Sequence, residues 1–472
     1  MAIIAVSIGM TASMPPAQGA QAQAAPAILP APSGAPQTIA PATDPLISLM
    51  RQSDGGATFR EAVAGAALRH PRVSEAVAAR REARGVRMEA RSAYFPRIDF
   101  NLISDHSLAS DFHQDRDTVI ERSRPESRTD AQIAGEQLVT DFGATSNRVA
   151  AAGAREKASQ ADVRRIASDV ALRAIAAYYD VLAYQALVDI GQAYVSHHRD
   201  ILDKARARFQ QGYGSDGDVA RAEAYAAEAE NRITQFERQL AAARARYAEA
   251  TGMEPPLRLA RPSDPAVAAG TYEEMLSASM ENPRIEAERS RAEGARREWR
   301  ATRADEWPRL STVLDATQYD VLESYHDYDV RGRIVLRYGI FGGGRLRART
   351  DQALQRFRQA ESVVERVENE VERDATIAWR EAALLERQIP LLETSYLSNR
   401  RARDLLSEQF RVARGTLIEL LRAEQDYFSA AAAYIQGSAD RDLARYALLE
   451  RTGRLLSYLG IEQQVANGEI RP

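Results

Sequence analysis

The chain contains two copies of one long pattern. Phe209 and Ala222 recur 201 positions later as Phe410 and Ala423, and each pair lies within the same short motif, which includes an Arg-Ala-Glu triplet. Further pairs share this offset: Gly143 with Gly344, Thr251 with Thr452, and Gly252 with Gly453. Self-similarity over such a long period indicates one structural unit repeated in tandem. The chain is therefore predicted to build one architecture from two related halves rather than from several unrelated domains.

The segments outside the repeats have a different composition. An apolar run from Ala2 to Ala12, followed by Ala-Gln-Ala at 20–22, is typical of an export signal with its cleavage site. The next stretch is rich in Ala, Pro and Gln, which favours disorder. The predicted segments are a signal peptide at 1–25, a disordered leader at 26–56, repeat 1 at 57–269, repeat 2 at 270–461 and a C-terminal tail at 462–472.

The side chains that enzymes and metal sites need are missing or scattered. The chain has no cysteine, which excludes disulfides, thiolate metal sites and cysteine nucleophiles. His197 and His198 are the one adjacent pair of histidines, and adjacent helix positions do not face each other. Gly342 to Gly344 lacks the lysine or following acid of a nucleotide loop. We predict no enzymatic activity, no cofactor, no metal site and, from a net charge of −4, no nucleic-acid partner.

Long stretches follow the spacing of helices that pack on each other. Between Gly344 and Gly415 there is no glycine, and apolar residues recur in steps of three and four, from Ala353 through Val371 to Tyr396. This pattern is a heptad seam with one stutter. Long helices are predicted at about 144–211, 217–252, 345–412 and 416–459.

A short polar turn joins the two long helices of each half. Glycine stops the first helix, and Ser215 or Thr416 can then cap the next one. Asp218 and Glu419 stand three residues after these caps, which is the spacing of a capping box. Each half is therefore predicted to contain a long αα-hairpin.

In each half, residues ahead of the first long helix alternate in the manner of a strand. Val330 and Ile334 alternate with Arg331, Arg333 and Arg337. Strands are predicted at about 96–107, 131–140, 308–319 and 329–340, a length that spans a bilayer when tilted. Four strands cannot close on themselves in lipid, so several chains would have to share one sheet. The alternative is a soluble hairpin that caps a helical bundle.

These features occur in the order found in a known family. His70-Pro71 and Asn282-Pro283 stand ahead of helices, Pro96 and Pro308 lead the first strands, and glycine-containing stops follow the second strands at 141–143 and 341–344. With the paired turns and Thr-Gly ends, residues 57–461 resemble the TolC family of outer-membrane channel proteins. The resemblance implies a mainly α fold with a transmembrane β part. It implies a homotrimer that shares a 12-stranded β-barrel in the outer membrane and continues as an α-helical tunnel in the periplasm.

The resemblance also implies partners and a task. The chain would be the passive exit duct of a tripartite transport machine, opened at its periplasmic helix tips by a periplasmic adaptor (a membrane fusion protein) and an inner-membrane ABC or proton-driven transporter. Type I protein secretion is the expected task, and drug or small-molecule efflux is the alternative. A soluble periplasmic coiled-coil scaffold or adaptor is a further alternative, although a scaffold has no use for bilayer-length amphipathic strands.

By position, the resemblance assigns roles to three groups of residues. The candidates for the periplasmic entrance gate are Asp218, Glu419 and Arg422; those for the adaptor-docking tips are Gly214, Ser215, Arg414, Gly415 and Thr416; and those for the lumen face of the strands are Arg331, Arg333 and Arg337. Arg422 stands where the family often has a second acid, and Gly415 replaces its usual arginine. The three gate candidates are equally compatible with ordinary solvated helix charges.

Overall fold

A computed structural model describes most of the chain. The described residues are 28–32, 41–52, 55–109, 111, 127–263, 271–322, 327–412 and 414–468. Helices dominate them, and four strands form an antiparallel sheet. No helix within these ranges is both long and apolar enough to cross a membrane. The predicted signal peptide, 1–25, lies outside the described residues.

The order of the elements follows the two-fold repeat. The first half has α2 (Gly56–Arg69), α3 (Pro71–Ser92), β1 (Arg97–His106), β2 (Ser127–Thr140), α4 (Ala144–Gln210) and α5 (Asp216–Thr251). The second half has α6 (Tyr272–Ser279), α7 (Pro283–Ala304), β3 (Arg309–Gln318), β4 (Tyr328–Arg337), α8 (Arg345–Arg411) and α9 (Leu417–Arg451). Helix α1 (Pro45–Arg51) precedes the first half, and α10 (Leu455–Tyr458) and α11 (Glu462–Asn467) follow the second. Two helices, two strands and two long helices thus occur twice in the same order.

One long helix ends earlier than the sequence predicts. Instead of a single helix at 416–459, the structure ends α9 at Arg451 and begins α10 at Leu455. Gly453 between them has a φ of 72°, a left-handed conformation that glycine adopts without steric cost. The Thr-Gly pair therefore acts as a helix stop at this point.

The leader predicted to be disordered, 26–56, is ordered in part, and the structure corrects that prediction. Asp44 accepts hydrogen bonds from the backbone N–H groups of Leu46 and Ile47, at 2.9 and 3.0 Å, and so caps α1. Leu29, Leu46 and Ile47 are buried, each at most 1% exposed. A composition rich in Ala and Pro is typical of disorder, and it conceals the few apolar side chains that this segment buries.

Contacts between residues divide the chain into two compact units. Unit 1 contains the described residues up to Arg51 with Leu187–Thr234 and Tyr396–Ala432, and unit 2 contains the remaining described residues. In unit 2, Phe59 of α2 packs against Tyr178 of α4 and Tyr446 of α9, with ring centroids 5.1 and 5.4 Å apart. In unit 1, Leu202 and Leu421 belong to an apolar core beside the two helical turns. Each unit therefore has a core of its own.

The sheet belongs to unit 2 and is built in chain order. Its order is β1-β2-β3-β4, every neighbouring pair is antiparallel, and β1 and β4 lie at the edges. The register aligns Ile98, Gly135, Leu314 and Gly332 in one row, and Arg97, Glu136, Val313 and Arg333 in the next. Because adjacent strand positions point to opposite faces, one face of the sheet is apolar and the other is charged.

Candidate functional site

The turn between α4 and α5 contains the predicted capping box. Ser215 Oγ accepts a hydrogen bond from the N–H of Asp218 at 3.1 Å, and the Asp218 carboxylate accepts from the N–H and hydroxyl of Ser215 at 3.4 and 2.9 Å. A Cβ on Gly214 would lie 3.1 Å from the backbone nitrogen of Phe209, so this close approach favours glycine. Tyr213 beside it is 84% exposed. The turn is held by its own hydrogen bonds and presents an aromatic ring to solvent.

The turn between α8 and α9 repeats this geometry. Thr416 Oγ1 accepts a hydrogen bond from the N–H of Glu419 at 3.4 Å, and the Glu419 carboxylate accepts from the Thr416 N–H at 3.0 Å. A Cβ on Gly415 would lie 3.2 Å from the backbone nitrogen of Phe410. The N–H of Arg414 donates to the Gln409 carbonyl at 2.8 Å. The docking-tip candidates thus form two matching turns.

The three gate candidates do not contact one another in this chain. Asp218 and Glu419 use their carboxylates to cap their own helices, and the hydrogen bond from the Thr416 backbone holds the pKa of Glu419 below its usual range. Arg422 is exposed on α9. Among the residues that the structure describes, no ion pair joins any two of the three. Within one chain, therefore, the two acids are capping residues and Arg422 faces solvent.

A contact that the sequence analysis missed joins the two hairpins near their turns. The guanidinium of Arg208 on α4 lies 4.0 Å from the ring centroid of Phe410 on α8 and donates to the Phe410 carbonyl at 2.8 Å. Phe410 is 7% exposed, whereas its repeat counterpart Phe209 is 46% exposed. Gln409 stands at the position equivalent to Arg208. The only sequence signal for this bridge is that the two halves differ at this position.

Behind the second turn, α8 and α9 bury a cluster of charged side chains, which was also missed. Arg403 is 0% exposed, with nitrogens 2.8 Å from Asp404 and 3.3 Å from Glu424. Its guanidinium lies 4.4 Å from the ring centroid of Tyr427. His197 of α4 lies 3.5 Å from Glu424. Burial works to raise the pKa of Glu424, but the hydrogen bond with His197 and the charge of Arg403 outweigh it and lower that pKa, so the carboxylate stays ionised.

The second histidine of the adjacent pair has a different environment. His198 is 0% exposed, between the rings of Tyr194 and Tyr225 at centroid distances of 4.4 and 6.0 Å. Within the described part of the chain, neither ring nitrogen has a hydrogen-bond partner. Burial lowers the pKa of His198 to about 4, so the ring is neutral at pH 7. The described residues also contain no group of three or more metal-ligating side chains.

The strand arginines lie on the charged face of the sheet together with carboxylates. Arg333 pairs with Asp315 at 2.6 Å, Arg337 with Glu136 at 3.0 Å, and Arg331 with Asp329. Two further pairs on β1 and β2 continue this face, Arg97 with Asp99 at 3.0 Å and Arg128 with Asp130 at 2.7 Å. The face is therefore a network of compensated charges rather than a row of free arginines.

The opposite face of the sheet exposes large apolar side chains. Ile98, Phe100, Leu314, Ile334 and Leu336 are 59–77% exposed. Where the strands meet the helices, Phe95, Trp307 and Tyr338 are 58–63% exposed, and Phe142 packs against Trp307 with ring centroids 5.8 Å apart. A contiguous apolar surface of this kind marks contact with a partner or a membrane, and aromatic side chains are enriched at membrane–water interfaces.

Comparison with known proteins agrees with this architecture. The curated relative "Outer membrane efflux protein BepC" from Brucella suis is 25% identical over 385 residues, which cover 79% of this chain and 80% of the relative. The Vibrio cholerae outer membrane protein VceC has a similar structure, with a TM-score of 0.75 at 16% identity over 84% of this chain and 96% of that one. The Neisseria gonorrhoeae MtrE outer membrane channel gives a TM-score of 0.73 at 18% identity over 86% and 93%.

The family match covers both halves of the repeat. The sequence model of the outer membrane efflux protein family matches residues 63–253 and 276–454, well over half of the chain. These two stretches contain both strand pairs and both helical turns. The chain belongs to the outer membrane efflux protein family.

Proposed function

We propose that the chain is the outer-membrane exit duct of an efflux assembly, a passive channel without catalysis of its own. The observation that carries this proposal is the two-faced sheet. Its apolar face exposes side chains such as Ile334, 77% exposed, while its other face carries paired charges. An apolar surface suits lipid and a charged one suits water, so each strand would separate the bilayer from a wet interior.

The edges of the sheet support a shared assembly. β1 and β4 each have one neighbour within the four-stranded sheet, so each leaves one row of backbone groups unpaired. Unpaired backbone groups are very costly in hydrocarbon. Three copies that pair β4 of one chain with β1 of the next would close a sheet of twelve strands, four from each chain. A homotrimer in the outer membrane would thus pair the backbone groups of both edge strands without any further element.

The entrance is proposed to lie at the two helical turns. Gly214, Ser215, Arg414, Gly415 and Thr416 would form the tips that meet a periplasmic adaptor, and Asp218, Glu419 and Arg422 would line the closed entrance. What supports this is the matching geometry of the two turns and their exposed polar surface. An inner-membrane transporter would complete the assembly and supply the energy that the duct lacks.

The cargo is proposed to be small molecules. The relative BepC is named an efflux protein, and the matched family carries the same description. Type I protein secretion, the task that the sequence resemblance implies, is the second candidate. Deletion of the gene in the source organism distinguishes efflux from secretion. Lost tolerance of toxic amphiphiles supports efflux, and loss of one secreted protein with unchanged tolerance supports secretion.

The channel is tested by conductance and mass. We expect detergent-extracted protein to have the mass of a trimer and to give discrete single-channel openings in planar bilayers. A monomer without conductance would contradict the shared sheet and favour the soluble scaffold.

A matched pair of substitutions tests which face meets lipid. Val330 and Thr317 lie on adjacent rows of the sheet but on opposite faces. Val330→Arg should impair insertion, because a charge on the lipid face is destabilising, with a cost that rises to about 2–4 kcal/mol at mid-depth. Thr317→Arg, beside Asp329, should insert normally. Equal insertion of both variants would rule out the assigned faces.

The gate is tested with variants that retain the helix caps. Asp218→Asn and Glu419→Gln remove charge but keep a side-chain acceptor, and Arg422→Gln removes the cation. If these residues hold the entrance shut, the triple variant should open more often than the parent protein. Unchanged conductance of the triple variant would refute the gate assignment.

A further inference from the structure

The second hairpin consists of α8 and α9, and two residues of α8 connect these helices through buried contacts. The hydroxyl groups of Tyr396 and Tyr427 lie 3.3 Å apart, and the guanidinium of Arg403 lies 4.4 Å from the ring centroid of Tyr427. Arg403 also reaches Glu424 of α9 at 3.3 Å. All of these side chains are at most 1% exposed. Tyr396 and Arg403 therefore form a buried cross-link between α8 and α9.

The leader contacts these same two residues. The Tyr396 hydroxyl lies 3.1 and 3.0 Å from the two carboxylate oxygens of Asp44 and donates to that carboxylate. Arg403 donates to the carbonyl of Pro30 at 2.9 Å. Asp44 is 0% exposed and also forms an ion pair with Arg400, which is 15% exposed. The buried charge of Asp44 is thus matched by a cation of the hairpin, and its contacts fix the leader to the cross-link.

The cross-link lies close to the second turn. Arg403 precedes Arg414 by eleven residues, which is about 16 Å along a helix. Glu424 follows Thr416 by eight residues, or about 12 Å. A constraint this close to the turn limits how far α8 and α9 can separate or twist there. The first hairpin differs at the equivalent positions, since Leu202 stands where Arg403 does, and the ion pair of Glu223 with Arg206 is exposed.

We propose that the leader is a strap that holds the second hairpin closed, with Asp44, Tyr396 and Arg403 as positioning residues for the Arg414–Glu419 turn. The strap consists of the described leader residues 28–32 and 41–51. Release of the strap loosens the cross-link and lets the second turn move. The consequence for channel opening rests on the proposed function, whereas the clamping of the hairpin does not.

Hydrogen exchange on the full-length protein tests the clamp directly. Asp44→Asn keeps a residue that caps helices well but removes the charge that Arg400 requires. Because an unpaired buried charge is costly, we expect amides in Tyr396–Arg411 and Leu417–Ala432 to exchange at least about tenfold faster. Amides in Asp216–Thr234 of the first hairpin should be unchanged. Glu223→Gln, which removes an exposed ion pair, is the control and should alter neither hairpin by more than about twofold.

A second variant tests the clamp independently in case Asp44→Asn does not fold. Ile47→Ala leaves every charge in place and removes apolar contacts of the strap, since Ile47 is 0% exposed. It should accelerate exchange in the second hairpin in the same way but by less. If neither variant changes exchange in Tyr396–Arg411 or Leu417–Ala432, the leader does not clamp the hairpin and the proposal is wrong.

Planar-bilayer recordings test the link to opening. Asp44→Asn should raise the open fraction severalfold over the parent and over Glu223→Gln. Faster exchange with an unchanged open fraction would overturn the assignment of these residues as positioning residues for the entrance. If the parent protein itself never conducts, the proposed channel fails, and the exchange data alone then decide whether the strap clamps the hairpin.

Discussion

The two helical hairpins carry the same Arg-Ala-Glu triplet but place its glutamate in opposite environments. Glu223 of the first hairpin is 50% exposed and pairs with Arg206 at 2.7 Å. Glu424 of the second hairpin is 1% exposed and pairs with Arg403, which is fully buried. One motif therefore makes a solvated ion pair in one half and a desolvated one in the other.

The difference arises from what covers each hairpin. The second is covered by the leader, whose Pro30 carbonyl accepts from Arg403, and by α4, whose His197 contacts Glu424. Exposed pairs contribute little to stability, whereas loss of one partner from a buried pair leaves a charge without water. The repeat thus sets the geometry of the turns, and the departures from the repeat decide which hairpin is stiff.

The largest effect is expected at the buried arginine. Arg403→Met should destabilise the folded protein by about 3–5 kcal/mol, because Glu424 and Asp404 lose their cation inside the protein. The matched change Arg206→Met in the first hairpin should cost at most about 1 kcal/mol. Denaturant unfolding of both variants measures the contrast. Similar costs for the two variants would mean that burial of the second hairpin does not matter.

The next effect depends on pH and comes from the uncharged histidine. Burial lowers the pKa of His198 to about 4 from an ordinary 6.5, so the folded state disfavours its protonation. The neutral ring therefore contributes to the free energy of unfolding above pH 6.5. This contribution, up to about 3 kcal/mol, is lost as the pH falls towards 4. The neighbouring titratable groups are Tyr194, Tyr225, His197, Glu424 and Glu228.

The variant His198→Phe should remove this loss. Its melting temperature should fall less than that of the parent protein between pH 7 and pH 4.5. Parallel curves for the two proteins would show that another group controls acid stability. His197→Phe is not an equivalent control, since it removes the contact with Glu424.

The same contrast explains what the sequence could predict. Periodicities and short motifs depend on neighbouring residues, so the sequence predicted the four strands, the long helices except for the end of α9, and both capping boxes, including Ser215 with Asp218. The helix residues near Arg403 contact a leader that lies more than 350 positions away in the chain. The Ala- and Pro-rich composition of that leader gave no indication of the contact. Arg333 and Arg337 pair with Asp315 and Glu136 on other strands, so these partners depend on register, which the sequence of one strand cannot give.

A smaller effect is expected at the bridge between the hairpins. Arg208→Gln removes the cation from the Phe410 ring and weakens the hydrogen bond to its carbonyl, which together should cost about 1–2 kcal/mol. Gln409→Ala, at the equivalent position of the other half, is exposed and should change stability by less than about 0.5 kcal/mol. Thermal unfolding would distinguish them. Equal effects would indicate that the bridge adds nothing beyond an ordinary surface residue.

The smallest difference is expected at the turns themselves, where the two halves share one geometry. Ser215→Ala and Thr416→Ala each remove a cap that accepts an N–H at 3.1 or 3.4 Å, and each should cost about 1 kcal/mol. Exchange of the amides of Asp218 and Glu419 reports each loss locally. Because both caps are made within the turn, the two variants should differ by less than the buried and exposed arginine variants do. A much larger effect of Thr416→Ala would show that the stiffness of the second hairpin extends into its turn and does not end at Arg403.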